Sequence, residues 1–172
     1  SITYRGNLAR LAETLLNEGK NEKAKKVLDL AMEHMPVEYF QYYSLLEPFV
    51  IGYYQIGEVE RARDIYNKVS KKYQEKSVYY SGLKVRRQYP IASEIITTME
   101  RYRGLIDVLI MYDGEALARA EAEKFNEHIM LFQHFYSPEE GVDVNKKLQK
   151  EDTVPLLKDT MVQHNTAIER AQ

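Results

Sequence analysis

The chain has 172 residues, which suits one domain or one array of small repeats. Its 24 Lys and Arg residues against 26 Asp and Glu residues give a net charge of −2, without the bulk positive charge of a dedicated nucleic-acid binder. Hydrophobic residues make up 44% of the chain, which excludes a disordered protein, and the absence of cysteine excludes disulfides, thiolate metal sites and thiol catalysis.

No stretch of the sequence predicts a membrane-spanning helix. The most apolar run, residues 45–54, contains Glu47 and Pro48, whereas a spanning helix needs about 20 mostly apolar residues. No signal peptide precedes the first helical pattern, which begins almost at Ser1. We therefore expect the chain to be a piece of a longer gene product whose targeting or membrane segments lie upstream.

Residues 7–36 predict a first helical hairpin. Apolar residues recur at helical spacing over residues 8–16 and again over residues 24–32, and Gly19 between the two runs favours a helix end. The alternation of large and small residues is that of a tetratricopeptide repeat. The residues at the pattern positions are Leu8, Leu11, Ala12, Leu15, Ala24, Leu28 and Pro36.

A second copy of this pattern runs from Tyr43 to about Glu75. Gly57 matches Gly19, and Ala62 matches Ala24 as the small residue that lets paired helices approach closely. The offset between the copies is 38 residues rather than the usual 34. The second copy's pattern positions hold Leu46, Phe49, Val50, Tyr53, Ala62, Tyr66 and Gln74.

Prolines predict interruptions around the second copy. Pro48 is expected to end or kink a helix that begins near Tyr39, because proline lacks an N–H and clashes with the preceding turn. Residues 76–90 predict a connector that holds one short helix, around residues 77–83. Pro90 then suits the first turn of the next helix.

Two longer amphipathic runs, residues 90–112 and 115–136, predict a third hairpin around an Asp-Gly turn. It lacks the repeat signature but has its shape, as a capping repeat would. The composition changes after residue 136, and the apolar positions of residues 154–168 are heptad-like. We expect this last helix to dock on its own body or on a partner, where it offers a contact for oligomerisation.

Together these elements predict an all-α fold. Residues 1–136 form about three tetratricopeptide-like hairpins in a short right-handed superhelix, and residues 137–172 form a helical tail.

The repeat register places six residues on the concave face formed by the first helix of each hairpin. Ten of the 14 tyrosines lie between residues 39 and 89. Two interpretations stay open: these tyrosines fill repeat cores and rims, or they form an aromatic recognition surface for a peptide or glycan, with Tyr54 as the best candidate. The six residues of the predicted groove are Glu13, Asn17, Glu47, Ile51, Tyr54 and Gln55.

The sequence predicts no catalytic, cofactor-binding or metal site. None of the four histidines pairs with another at i, i+4, no glycine-rich phosphate loop is present, and no Ser or Thr stands in a nucleophile elbow. The basic pairs at residues 71–72, 86–87 and 146–147 predict solvated faces, with contact to anionic lipid headgroups as the sharper alternative.

Two Asp-Thr-aliphatic triplets stand in the tail, at Thr153 and Thr160. They resemble the O-glycosylation signal of Bacteroidetes, so one hypothesis is that these threonines carry a glycan. The alternative is helix capping, for which Thr153 is well placed ahead of Pro155.

The amino-acid sequence of residues 7–36 and 39–75 resembles that of a known family. It is similar to the C-terminal segment of a Bacteroidetes family of multi-spanning membrane proteins, a domain of unknown function related to GT-C glycosyltransferases of the protein O-mannosyltransferase kind. The resemblance covers about residues 5–136. It implies that upstream spans hold the catalytic site and that a tetratricopeptide-like tail faces the periplasm, and no catalytic residue of that family falls within this chain.

Three functions are weighed on these grounds. The first is a non-catalytic scaffold, the soluble C-terminal part of such a membrane protein, which holds a protein or peptide partner and needs no cofactor or nucleic acid. The alternative is a free-standing adaptor that binds a peptide segment of a partner complex. The third is a small all-α hydrolase, against which the missing nucleophile–base pair counts.

Overall fold

The computed structural model describes residues 2–38 and 45–136, which belong to one folded unit. All regular structure in this part of the chain is helical, which confirms the predicted all-α class. The predicted tail over residues 137–172, with Thr153 and Thr160, lies outside the described residues. In chain order the helices are α1 (Ile2–Asn17), α2 (Asn21–His34), α3 (Glu47–Gln55), α4 (Val59–Ser81), α5 (Val85–Gln88), α6 (Ala92–Tyr112) and α7 (Glu115–Met130), with a 3₁₀ turn at Tyr89–Ile91.

The first two hairpins turn in the same way. Helix α1 packs on α2 and α3 packs on α4, and each first helix ends at a glycine with positive φ, +70° at Gly19 and +80° at Gly57. Around Gly57, its N–H donates to the Tyr54 carbonyl at 3.0 Å and the Glu58 N–H donates to the Tyr53 carbonyl at 2.9 Å. The same pair of bonds surrounds Gly19, so both turns are Schellman motifs that satisfy the last carbonyls of the helix.

Small residues bring the paired helices together, as the repeat pattern predicts. Ala24 and Ala62 are both completely buried. Gly52 of α3 faces Leu28 of α2 so closely that a Cβ built on the glycine would lie 3.0 Å from the leucine Cδ2. The second hairpin therefore seats against the first at a position that has no room for a larger residue.

The third hairpin consists of α6 and α7, which pack against each other. Helix α3 contacts both helices of the first hairpin, and α6 contacts both helices of the second. Helix α7 also contacts α4. The hairpins thus lie side by side in chain order, and the core runs through the contacts between them.

Pro48 lies in the first turn of α3, where its missing N–H would have no helical partner. The helix predicted to begin near residue 39 falls on residues 39–44, outside the described residues. Two other predicted boundaries are wrong. The predicted connector after residue 75 is helical through Ser81, because α4 continues for 23 residues. The last helix of the hairpin ends at Met130 and continues as turns, where the sequence predicts helix to about residue 136.

No helix in the described part of the chain is both long enough and apolar enough to cross a membrane.

Candidate binding surface

Five of the six predicted groove residues are accessible. Glu13 and Asn17 are exposed on α1, Gln55 is exposed on α3, and Glu47 and Ile51 on α3 are half-buried. Each helix contributes residues four apart, which lie on one face, and α1 packs beside α3. The two rows therefore belong to neighbouring helices of successive hairpins.

Tyr54, the sixth residue, lies elsewhere. Its side chain is 7% exposed, and its ring stacks on Tyr112 of α6 with the ring centroids 6.1 Å apart. Its hydroxyl donates a hydrogen bond to Oδ2 of Asp113, just beyond α6. The structure thus places Tyr54 in the contact between the second and third hairpins and not on an open surface, which corrects the expectation of an accessible aromatic residue.

Asp113 is the centre of this contact. Its carboxylate is 2% exposed and accepts two hydrogen bonds from Arg63 of α4, Nε to Oδ2 at 2.9 Å and Nη2 to Oδ1 at 2.8 Å. The Gly114 N–H donates to Oδ1 at 2.6 Å. The Arg63 hydrogen bonds hold the pKa of Asp113 well below its usual range, with smaller help from Tyr54 and Gly114 and against the effect of burial. Burial, with the acceptor carboxylate second, raises the pKa of Tyr54 above its ordinary value.

Tyr53, the residue before Tyr54 on α3, makes a similar hydrogen bond to an aspartate, but toward the first hairpin instead of the third. The Tyr53 hydroxyl donates to Oδ1 of Asp29 on α2 at 2.8 Å, and Arg61 of α4 also binds Asp29. The Arg61 guanidinium carbon lies 5.8 Å from the centre of the Tyr53 ring. Adjacent residues of α3 thus join the second hairpin to the hairpins on both sides.

Two tyrosines of α4 also donate hydrogen bonds from their hydroxyls to carboxylates on the third hairpin. The completely buried Tyr66 donates to Oε2 of Glu121 on α7 at 3.2 Å, and Tyr80 donates to Glu94 on α6. Burial raises the pKa of both hydroxyls, that of Tyr80 to about 12. These contacts favour the packing interpretation for Tyr53, Tyr54, Tyr66 and Tyr80.

The start of α3 brings two carboxylates together on the predicted groove side. Glu47 lies against Gly104 of α6, where a Cβ built on the glycine would be 3.7 Å from the glutamate Oε2. Burial and then the nearby charge of Asp107 raise the pKa of Glu47. Burial thus disfavours the charged form of Glu47 at this end of the surface.

A serine–histidine contact that the sequence did not predict joins α4 to α7. The Ser77 Oγ lies 2.5 Å from Nδ1 of His128 and also 2.8 Å from the Gln74 carbonyl oxygen, to which it donates. A hydroxyl has only one proton, and the Ser77 hydroxyl donates it to the carbonyl. The hydroxyl must therefore accept a hydrogen bond from Nδ1–H of His128. In that tautomer Nδ1 carries a proton, so His128 cannot act as a base toward the serine. Ser77 is completely buried, and burial lowers the pKa of His128. The pair has the geometry of a packing contact.

A surface depression of about 420 Å³ lies between α2 and α4. Charged residues at its rim pair with each other, since Lys68 forms ion pairs with Glu38 and Asp64, each at 2.9 Å. The described lining consists of Met32, Pro36, Val37, Glu38, Tyr53, Glu60, Arg61, Asp64, Ile65 and Lys68.

Within residues 2–38 and 45–136, no three His, Asp or Glu side chains come close enough together to hold a metal ion. In comparisons with known proteins, no protein-family model, curated protein or solved structure matches this chain.

Proposed function

We propose that this chain is a non-catalytic protein–protein interaction domain of tetratricopeptide-like hairpins in a right-handed superhelix. In this proposal it is the C-terminal part of a glycosyltransferase-like membrane protein and faces the periplasm at the inner membrane. Its role is to hold a protein or peptide partner near the membrane site. The family context rests on the sequence resemblance alone.

The order of helix contacts is the observation that carries the proposal. The first helix of the second hairpin packs on both helices of the first, and the first helix of the third packs on both helices of the second. Solenoid repeats contact their neighbours in this uniform way and expose an extended surface to a partner. The equivalent glycine turns at Gly19 and Gly57 further support a repeated unit. A rigid array of this kind binds with little loss of conformational entropy.

The charged residues of the predicted groove limit the kinds of partner segment that it can bind. Glu13 is exposed there, and Glu47 is half-buried at the start of α3. Such a surface repels a carboxylate tail and favours a partner segment that carries Lys or Arg.

The proposal assigns no catalytic role to the Ser77–His128 pair. It is the arrangement in the described residues that most resembles a nucleophile with its base, and its serine is out of reach of a substrate.

Site-specific photo-crosslinking in host cells tests the groove. A benzoylphenylalanine replaces Gln55 on the predicted surface or, as the control, the equally solvent-facing Glu123 on α7. We expect one discrete adduct from position 55 and none from position 123, and we expect Glu13→Lys to weaken the first adduct. Equal adducts from both positions, or none from position 55, would contradict the proposal.

Cell fractionation with an antibody to this chain tests the context. A band much larger than the chain that stays with the membrane until detergent is added supports a membrane-protein tail. A band of the chain's own size in the detergent-free supernatant contradicts it and favours the free-standing adaptor.

A further inference from the structure

The corner between α4 and α5 has an unusual charge. Residues 76–93 contain four cations, Lys76, Lys84, Arg86 and Arg87, and none of the chain's 26 carboxylates. In a chain of net charge −2, this is a concentrated positive segment.

The three cations of the corner itself are exposed and lack carboxylate partners. Lys84, Arg86 and Arg87 all face solvent, and no ion pair among the described residues involves them. By contrast, Arg63 and Lys68 of α4 each bind two carboxylates. Among the residues that the structure describes, the positive charge of the corner is thus not neutralised by a carboxylate.

Apolar side chains of the same segment also face solvent. The exposed fractions are 58% for Val78, 66% for Tyr79, 49% for Val85 and 59% for Tyr89. Single exposed apolar residues are ordinary, but four within twelve residues of sequence is a density that favours a contact surface.

The corner is held rigidly. Ser77 and Tyr80 point inward to His128 and Glu94, which leaves the two residues between them outside. Gln88 is 2% exposed, and its side-chain amide donates to the Leu83 carbonyl at 2.8 Å.

We propose that this corner docks on a lipid bilayer that carries anionic headgroups. The exposed cations bind headgroup phosphates, the two tyrosines lie at the level of the headgroups, and the two valines reach the acyl boundary. Nucleic acid fits less well, because valines contribute nothing to phosphate contacts. The residues of this corner surface are Val78, Tyr79, Lys84, Val85, Arg86, Arg87 and Tyr89.

The expected effect follows from the charges. Each Lys or Arg at an anionic surface contributes a factor of about five to binding, so three cations contribute on the order of 100-fold. The contribution declines at about 0.5 M salt, where the Debye length is only a few ångströms.

Vesicle co-sedimentation of the whole chain tests the proposal. We compare phosphatidylcholine vesicles with vesicles in which about a third of the lipid is phosphatidylglycerol. The triple variant Lys84→Gln, Arg86→Gln, Arg87→Gln should lose on the order of 100-fold in partition to the anionic vesicles. The matched control Lys23→Gln, Lys26→Gln, Lys71→Gln removes the same charge from exposed positions elsewhere and should stay within about twofold of wild type.

A second variant tests the apolar component. Tyr79→Ser with Val85→Ser keeps every charge and should lower partition at high salt, where the electrostatic part is screened. Because both side chains are exposed, circular dichroism should show an unchanged fold.

Three results would overturn the proposal: equal binding to neutral vesicles, an equal loss in the matched control, or tighter binding to a single-stranded oligonucleotide than to anionic vesicles. None of these results affects the crosslinking experiment at Gln55, which tests a different surface. The lipid-docking proposal and the proposed function can therefore be refuted separately.

Discussion

The two adjacent tyrosines of α3 offer a matched test of how the hairpins are joined. Tyr53→Phe and Tyr54→Phe each remove one hydroxyl from a buried ring and one hydrogen bond to an aspartate on a neighbouring hairpin. The acceptors differ in their access to water: the Asp113 side chain is 2% exposed, whereas that of Asp29 is 35% exposed. Water can replace the lost hydroxyl at Asp29 but not at Asp113.

The expected magnitudes follow from that difference. A hydrogen bond to a charged group contributes about 1.5–3 kcal/mol, and the larger values apply when the charge is left without solvent. We therefore expect Tyr54→Phe to lower the free energy of unfolding by about 2 kcal/mol and Tyr53→Phe to lower it by about 0.5 kcal/mol. For a chain of this size the corresponding falls in Tm are about 4–8 °C and about 1–2 °C.

Urea denaturation followed by far-ultraviolet circular dichroism measures both variants, and an unchanged m value shows that the denatured state is the same. Equal losses in the two variants would refute the argument that acceptor burial sets the strength of the bond. A loss under about 0.5 kcal/mol in Tyr54→Phe would mean that the Asp113 contact does not stabilise the array.

Three further predictions concern turns and titration. Gly57→Ala should destabilise by about 1 kcal/mol in the same urea assay, because its φ is +80°. The control Gly82→Ala, at φ −69° with a built Cβ at an ordinary contact distance of 3.5 Å from the Tyr79 carbonyl oxygen, should stabilise by about 0.5 kcal/mol. The lowered pKa of Asp113 keeps it ionised in the folded state, so its contribution is complete above the ordinary aspartate range and is lost as the pH falls below it. Asp113→Asn should therefore flatten the fall in stability below about pH 4. The pKa of His128 is lowered by burial, so an NMR titration should place it below the ordinary histidine value, and its contribution to stability should decline as the pH falls below about 6.5.

The sequence predicts the first two hairpins well because their determinants are local. A glycine at positive φ and an alanine at the helix contact recur at one register, Gly19 with Ala24 and Gly57 with Ala62. Each pair lies within a few residues of the turn that it specifies, so the pattern identifies the turn without knowledge of distant contacts.

The length of α4 could not be predicted in the same way. The buried face of its last turns includes Ser70 and Ser77, which interrupt the apolar stripe and suggest a connector. In the structure the Ser77 hydroxyl bonds to the Gln74 carbonyl within the helix and meets His128 from α7. Its burial depends on a residue 51 positions away, which no local pattern contains.

The positions of the groove residues could be predicted only in part, because helix register is local whereas the covering of a helix face depends on distant residues. Helix register alone puts Glu13 and Gln55 at accessible positions. The same register offered Tyr54 as a ligand-facing residue, but its partner Asp113 lies 59 residues along the chain in a hairpin without the repeat signature. Which surface of α3 is covered depends on how that third hairpin packs.

The tyrosines then acquire a common explanation. A repeat array with modest aliphatic cores must join its hairpins by other means, and a tyrosine fills the gap with its ring while its hydroxyl reaches a carboxylate on the next unit. Tyr54 and Tyr66 do this toward the third hairpin, and Tyr53 does it toward the first. The joining tyrosines are buried, and the tyrosines that are mainly exposed in the described part of the 39–89 stretch are Tyr79 and Tyr89. Both belong to the corner surface that we propose as a lipid-docking site, so the vesicle experiment tests the exposed tyrosines together with the exposed cations of the same segment.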